Sequence, residues 1–130
     1  MRMALQEGGY QPKDVSYINL HGTSTTINDA VETRAVKLLL GKRAYDVPCS
    51  STKSMLGHPQ GASGAMGLAA TVIGLNRGFL PPTINLENPD PECDLFYVPN
   101  RSLDRPMDLA LCNCVGFGAR NSAVAIRKFN

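Results

Sequence analysis

The chain has no tryptophan, no dense run of lysine and arginine, and no apolar stretch approaching the ~20 residues that a bilayer-spanning helix requires. Its first residues, Met1 to Gly9, also lack the apolar core of a secretory leader. A cytoplasmic protein that keeps away from membranes is therefore expected. With 13 basic residues against 11 acidic and a net charge of +2, bulk charge offers no footprint for nucleic acid or an anionic lipid surface. The four cysteines, Cys49, Cys93, Cys112 and Cys114, contain no C-x-x-C pair, and the two histidines do not complete a zinc pattern with them. Reduced thiols are expected, with neither a disulfide framework nor a metal centre. Cys112 and Cys114 alternate on a strand-like run and so share one face, most simply a core face.

What is present suffices for one domain spanning residues 1–130, since 43% of the residues are hydrophobic. Arg2 to Gly8 reads as a short helix stopped by Gly8-Gly9. Val15 to Leu20 is a β-prone run ending at His21. The spacing of Ala30, Val31, Ala35, Leu38 and Leu39 predicts a helix closed by Gly41, with N-cap candidates among Thr23, Ser24, Thr25, Asn28 and Asp29. Tyr45 to Cys49 is a second strand candidate. Gly61 to Asn76, small and apolar, predicts a buried helix. A proline-rich connector follows, Pro81 to Leu86 and Asn88 to Pro91, wrapped over the surface. Leu95 to Val98 reads as an edge strand, and Leu109 to Val115 with Ala123 to Phe129 as a hairpin around Gly116 to Asn121.

The organising feature is a pair of loops, His21-Gly22-Thr23-Ser24-Thr25 and Lys53-Ser54-Met55-Leu56-Gly57-His58, each between an apolar segment and a helix-like one. Polar side chains at such strand-to-helix turns sit at the carboxyl edge of a sheet, where open α/β folds hold ligands. Each histidine is open to two readings. It caps a turn, or its N–H group stabilises an oxyanion or enolate. Lys53 either stabilises negative charge or is a solvated loop residue, and the Gly116 to Asn121 loop is either a plain turn or a functional one.

The stretches Asn19-Leu20-His21-Gly22-Thr23-Ser24-Thr25, Asp29 with Glu32, Ser50 through His58, Pro81-Pro82-Thr83-Ile84-Asn85-Leu86 and Asn113 through Gly118 resemble the β-ketoacyl-acyl-carrier-protein synthases. The resemblance is to the C-terminal half of their thiolase-like fold, and to the elongating, fatty-acid type somewhat more than to polyketide synthases. It implies an α/β fold with a mixed sheet of about five strands and covering helices, and a decarboxylative condensation of malonyl-acyl carrier protein with an acyl thioester. His21 and His58 are then the pair that polarises the malonyl thioester, Lys53 their electrostatic support, and Thr23 and Thr25 ligands of the phosphopantetheine arm. Phe117 is the aromatic of a gating loop, and Asn19, Asp29, Glu32 and Asn113 form a structural polar cluster.

The resemblance implies no cofactor beyond the carrier-borne phosphopantetheine. It implies acyl carrier protein as a partner, a cysteine-bearing half that is not part of this sequence or a full-length synthase to pair with, and assembly as a homo- or heterodimer. A domain cut from that arrangement is expected to expose an apolar helix face. The sequence departs from the family at Gly67, where a glutamate usually pairs with the lysine, at Ala119-Arg120 in the gating loop, and mildly at Thr26 and Asn28. An isolated chain is expected to be inactive, because its nucleophile is supplied elsewhere. A non-catalytic scaffolding module is the alternative. An unrelated small hydrolase fails for want of a nucleophile on a tight strand-to-helix turn.

Overall fold

Tyr17, Ile18 and Asn19 are all buried, which marks them as the centre of a sheet rather than its rim. In the computed structural model, which describes residues 1–129, they form strand β1 (Tyr17–Asn19). It is preceded by helix α1 (Arg2–Glu7) and followed by helix α2 (Asn28–Leu40). The chain continues through β2 (Cys49–Ser50), the one-turn helix α3 (Lys53–Leu56), helix α4 (Ser63–Arg77), a ribbon of β3 (Phe79–Leu80) and β4 (Leu103–Asp104), and the long hairpin of β5 (Leu109–Gly116) and β6 (Arg120–Arg127).

The main sheet has the order β2-β1-β5-β6. The first three strands are parallel and β6 runs antiparallel to β5, so the sheet is mixed. Among the described residues it contains four strands, in keeping with the mixed α/β sheet expected. The segment expected as an edge strand, Leu95 to Val98, lies beside β2 and joins it through one backbone bond, Cys49 N–H to Phe96 O at 2.8 Å, without forming a ladder. Val98 takes a left-handed backbone angle, φ +47°, which a β-strand does not accommodate.

Alternation along the buried strands divides the core between the two faces of the sheet. Ile18, Cys49 and Leu111 face α1 and α2, meeting Leu5, Val36 and Leu40. Tyr17 and Ala110 face the other way, toward Leu75 of α4 and Leu80 of β3. The expected α2 is present and ends at Gly41, whose φ of +59° lies in the left-handed region. The expected strand at Tyr45 to Cys49 begins only at Cys49, because Gly41–Tyr45 tightens into a 3-10 turn.

Helix α4 is not buried all round. Ser63, Gly67, Thr71, Gly74 and Leu75 face the sheet, while Leu68, Val72 and Ile73 are 37%, 46% and 47% exposed. The expected exposed apolar helix face is therefore present. Among the described residues no helix is long and apolar enough to cross a membrane.

Candidate active site

The first histidine loop leaves β1 at its carboxyl end, where the ladder stops and the backbone needs new partners. Glu32, buried in the first turns of α2, supplies them. Its Oε1 accepts the His21 N–H at 2.8 Å and its Oε2 the Gly22 N–H at 2.9 Å. Asn113 Nδ2, on β5, also donates to Glu32 Oε1 at 3.0 Å. One carboxylate thus fixes the loop backbone against a helix and a strand. Gly22 has φ +40°, and a Cβ there would stand 2.4 Å from the Ser51 Cβ, so this position requires glycine. Further on, Thr25 Oγ1 accepts the Asn28 N–H at 3.3 Å, closing the start of α2.

The second loop leaves β2, turns once as α3 and reaches His58 after Gly57, whose φ is +75°. Lys53, expected in an irregular loop, opens that short helix instead. His58 Nδ1 accepts the Gln60 N–H at 3.2 Å and contacts Ser63 Oγ at 3.0 Å. Accepting at Nδ1 leaves Nε2 as the N–H donor of the neutral ring.

The two imidazoles meet edge to face, with ring centroids 5.4 Å apart and planes at 85°. His21 is 5% exposed and His58 is exposed to solvent. Burial holds the His21 pKa down, to about 4, and the Lys53 cation and His58 push the same way against a smaller opposing effect of Asp29. His21 is therefore neutral at physiological pH. Its Nδ1 is buried without a hydrogen-bond partner among the described residues. Burial likewise lowers the Lys53 pKa, an effect opposed by Cys114, Glu32 and Cys112. No salt bridge to Lys53 is formed among the described residues. A Cβ on Gly67 would lie closest to Cys112 Sγ, at 3.1 Å, and no carboxylate stands there.

Beside the histidines opens a cavity of about 590 Å³. Thr23, Thr25, Lys53 and His58 line one side, and Thr83 and Asn85 of the proline-rich connector the other. Thr23 and Thr25 hydroxyls lie 3.2 Å apart. Thr23, Thr25, Lys53 and His58 thus gather around one cavity, and His21, which does not line it, joins them through its contact with His58. Two predictions fall elsewhere. Phe117 stands at the hairpin tip, fully exposed and away from the cavity lining.

The four-residue polar cluster is also divided. Glu32 and Asn113 are together, but Asn19 faces the opposite side of the sheet, where its Nδ2 donates to Gly67 O at 3.2 Å and Thr71 Oγ1 at 3.1 Å. Asp29 accepts from Ser24 N–H and Asn28 Nδ2 at 3.2 and 3.1 Å. The alternation of side chains along β1 and β5 is what separates them.

Residues that the sequence reading did not single out complete the site. Ser51, Ser54 and Thr83 tie the second loop to the connector, and Cys93 and Tyr97 line the far part of the cavity. The connector is not a mere surface wrap, since it docks beneath the loop. The hydroxyl-rich wording of Ser50-Ser51-Thr52 was the available signal.

Residues 1–87 match the family described as β-ketoacyl synthase, C-terminal domain. The chain belongs to the β-ketoacyl synthase family. This synthase domain is 54% identical, over 97% of its length, to a 3-oxoacyl-[acyl-carrier-protein] synthase 2 of Synechocystis sp., of which it covers 30%. It is 48% identical, over 96% of its length, to the tetracenomycin polyketide synthase ketoacyl synthase alpha subunit of Streptomyces glaucescens, of which it covers 29%.

Among solved structures, a type II PKS acyl-carrier protein in complex with its ketosynthase superposes with a TM-score of 0.97 at 38% identity. The match covers 99% of this chain and 32% of that one. A β-ketoacyl synthase from Burkholderia phymatum superposes with a TM-score of 0.93 at 32% identity, covering 100% and 31%. The synthase domain has their thiolase-like fold and spans about 30% of the length of the curated relatives it matches.

Proposed function

We propose that the chain supplies the two-histidine part of a decarboxylating condensation site, acting on malonyl carried by acyl carrier protein. The observation that carries this reading is the edge-to-face placement of His21 and His58 at 5.4 Å, from two separate loops, with His58 lining the cavity. When the carboxyl group leaves a malonyl thioester, the electrons of the broken C–C bond pass to the thioester oxygen as an enolate. The enolate needs preorganised donors rather than a strong base. A neutral His21 and a His58 with its proton on Nε2 fit that need, and Lys53 adds a positive field.

Thr23 and Thr25 serve as hydrogen-bonding partners for the phosphopantetheine arm in the cavity. Phe117, on the exposed tip, serves as the gate. The acylated cysteine comes from the rest of a synthase, in a homo- or heterodimer. No cofactor beyond the carrier's own arm is required by this chemistry. Fatty-acid elongation is the reading preferred over polyketide assembly, on the wording of Ser51-Thr52-Lys53-Ser54 and Pro81-Pro82-Thr83-Ile84-Asn85.

The test is malonyl-acyl-carrier-protein decarboxylation by the chain alone and mixed with a separately expressed cysteine-bearing half. Activity in the mixture alone, abolished by His21→Ala, is the expected result. Gly67 favours a second reading, a binding or scaffolding module, because it leaves Lys53 without an acidic neighbour at that position. Binding to the cysteine half with no decarboxylation would select it.

A further inference from the structure

The backbone ladder between β1 and β2 ends with Leu20 N–H to Ser50 O at 2.8 Å. Beyond it the two histidine loops share no backbone hydrogen bond among the described residues, although both must place a ring at the same spot. One side chain crosses the gap. Ser51 Oγ donates to Gly22 O at 2.7 Å. The Ser51 N–H donates to Thr83 Oγ1 at 3.0 Å, and the Ser51 carbonyl accepts from Ser54 Oγ at 2.9 Å. Ser54 Oγ in turn accepts the Ile84 N–H at 2.9 Å. Ser51 is 7% exposed, so water does not readily substitute for these bonds.

We propose that Ser51 is a positioning residue that sets the His21–His58 geometry, its hydroxyl acting as an added rung that carries the β1–β2 pairing out to the catalytic loops. Gly22 is its complement, because only a residue without Cβ lets the Ser51 side chain approach the loop carbonyl. Thr83 extends the same linkage to the proline-rich connector, so both walls of the cavity are keyed to this residue. Two donors that converge on one oxygen must be held to within about 0.5 Å, and displacement by about 1 Å costs on the order of 100-fold in rate. The consequence for catalysis rests on the reading of the histidines as enolate donors. The geometric role does not.

The closing experiment therefore has two readouts. In the full 130-residue chain, NMR contacts between the His21 and His58 ring protons are followed in Ser51→Ala and Ser51→Thr. Loss of the contact in the folded alanine variant, with retention in the threonine variant, is expected. An unchanged contact in Ser51→Ala overturns the proposal. If the alanine variant does not fold, Ser51→Cys, which keeps the side chain but donates weakly, is judged by the same criterion. In the complemented enzyme, kcat for decarboxylation should fall by about 10- to 100-fold in Ser51→Ala with KM unchanged. A rise in KM at constant kcat overturns the proposal. Undiminished decarboxylation by His21→Ala would reject the enolate reading while leaving the ring-contact result to decide the role of Ser51.

Discussion

Gly67 on α4 and Cys112 on β5 face each other so closely that a Cβ on the glycine would stand 3.1 Å from the cysteine sulfur. The two positions constrain one another. A glutamate at 67, which the family resemblance leads one to expect, requires the facing thiol to give way by a few tenths of an ångström. Gly67→Glu alone should therefore destabilise the chain by about 1–3 kcal/mol through overpacking. Adding Cys112→Ser should recover part of the loss, with a coupling of at least about 0.5 kcal/mol between the two sites. Urea denaturation of both single variants and the double variant measures it, and simple additivity would disprove the pairing.

The depressed His21 pKa makes a signed prediction about acid stability. The ring is neutral in the fold down to about pH 4, whereas in the unfolded chain it protonates near its ordinary value of about 6.5. Between those values the unfolded state binds more protons, so stability rises with pH there. The contribution of His21 is complete above about pH 6.5 and is lost as pH falls toward 4. Thermal midpoints of the parent chain should drop more steeply over this window than those of His21→Ala. Parallel curves would show that the ring is not buried as described.

Glu32 accepts from four donors, the N–H groups of His21 and Gly22 and the Asn113 amide at 2.8 to 3.0 Å, and Asn28 Nδ2 at 3.5 Å. Replacing it by alanine leaves the three close donors without this partner, two of them buried and the Gly22 N–H half-buried, at about 1–3 kcal/mol for each group left unsatisfied. Glu32→Ala should cost at least about 3 kcal/mol in chemical denaturation. A loss under about 1 kcal/mol would mean that water replaces the carboxylate.

Ala119 adopts φ +58° at the hairpin tip, a conformation that costs an L-residue with a side chain roughly 1–2 kcal/mol. Ala119→Gly should raise stability by about 0.5–1 kcal/mol, the relief of strain exceeding the added freedom of the unfolded chain. Phe117→Ala, a change at a fully exposed ring, should stay within about 0.5 kcal/mol of the parent. Any larger effect on turnover than on stability would then support the gating role proposed for Phe117.

Much of this was legible in the sequence for a physical reason. Helix α2 and strand β5 carry clear signals and lie close to their expected positions, whereas β6 runs over Arg120–Arg127 rather than Ala123 to Phe129, because the hairpin turn is tighter than the expected Gly116 to Asn121 loop. The convergence of the histidine loops followed from both leaving strands at the same edge of the sheet. The failures have equally local causes. Tyr45 has strand propensity, but Gly41–Tyr45 continues from α2 as a tight turn, because proximity to a helix end outweighs propensity over so few residues. Leu95 to Val98 has a strand-like composition, but the left-handed angle at Val98 prevents pairing. Asn19 and Asn113 sit in similar motifs yet face opposite sides of the sheet, and only strand register decides that. Ser51 gave no periodic signal, since a hydroxyl that replaces a backbone rung looks like any loop serine.

Strand β6 closes one side of the sheet and, among the described residues, pairs only with β5. Its outer row of backbone groups is an eight-residue template for a foreign strand. Arg120 and Arg127 stand at its two ends and bracket the apolar stretch Ala123 to Ile126. Charges in those places act as gatekeepers against edge-to-edge assembly. On that view the arginine at position 120 protects the colloidal behaviour of the domain. Neutralising both ends should therefore show itself first as turbidity in concentrated samples, before any change in the fold.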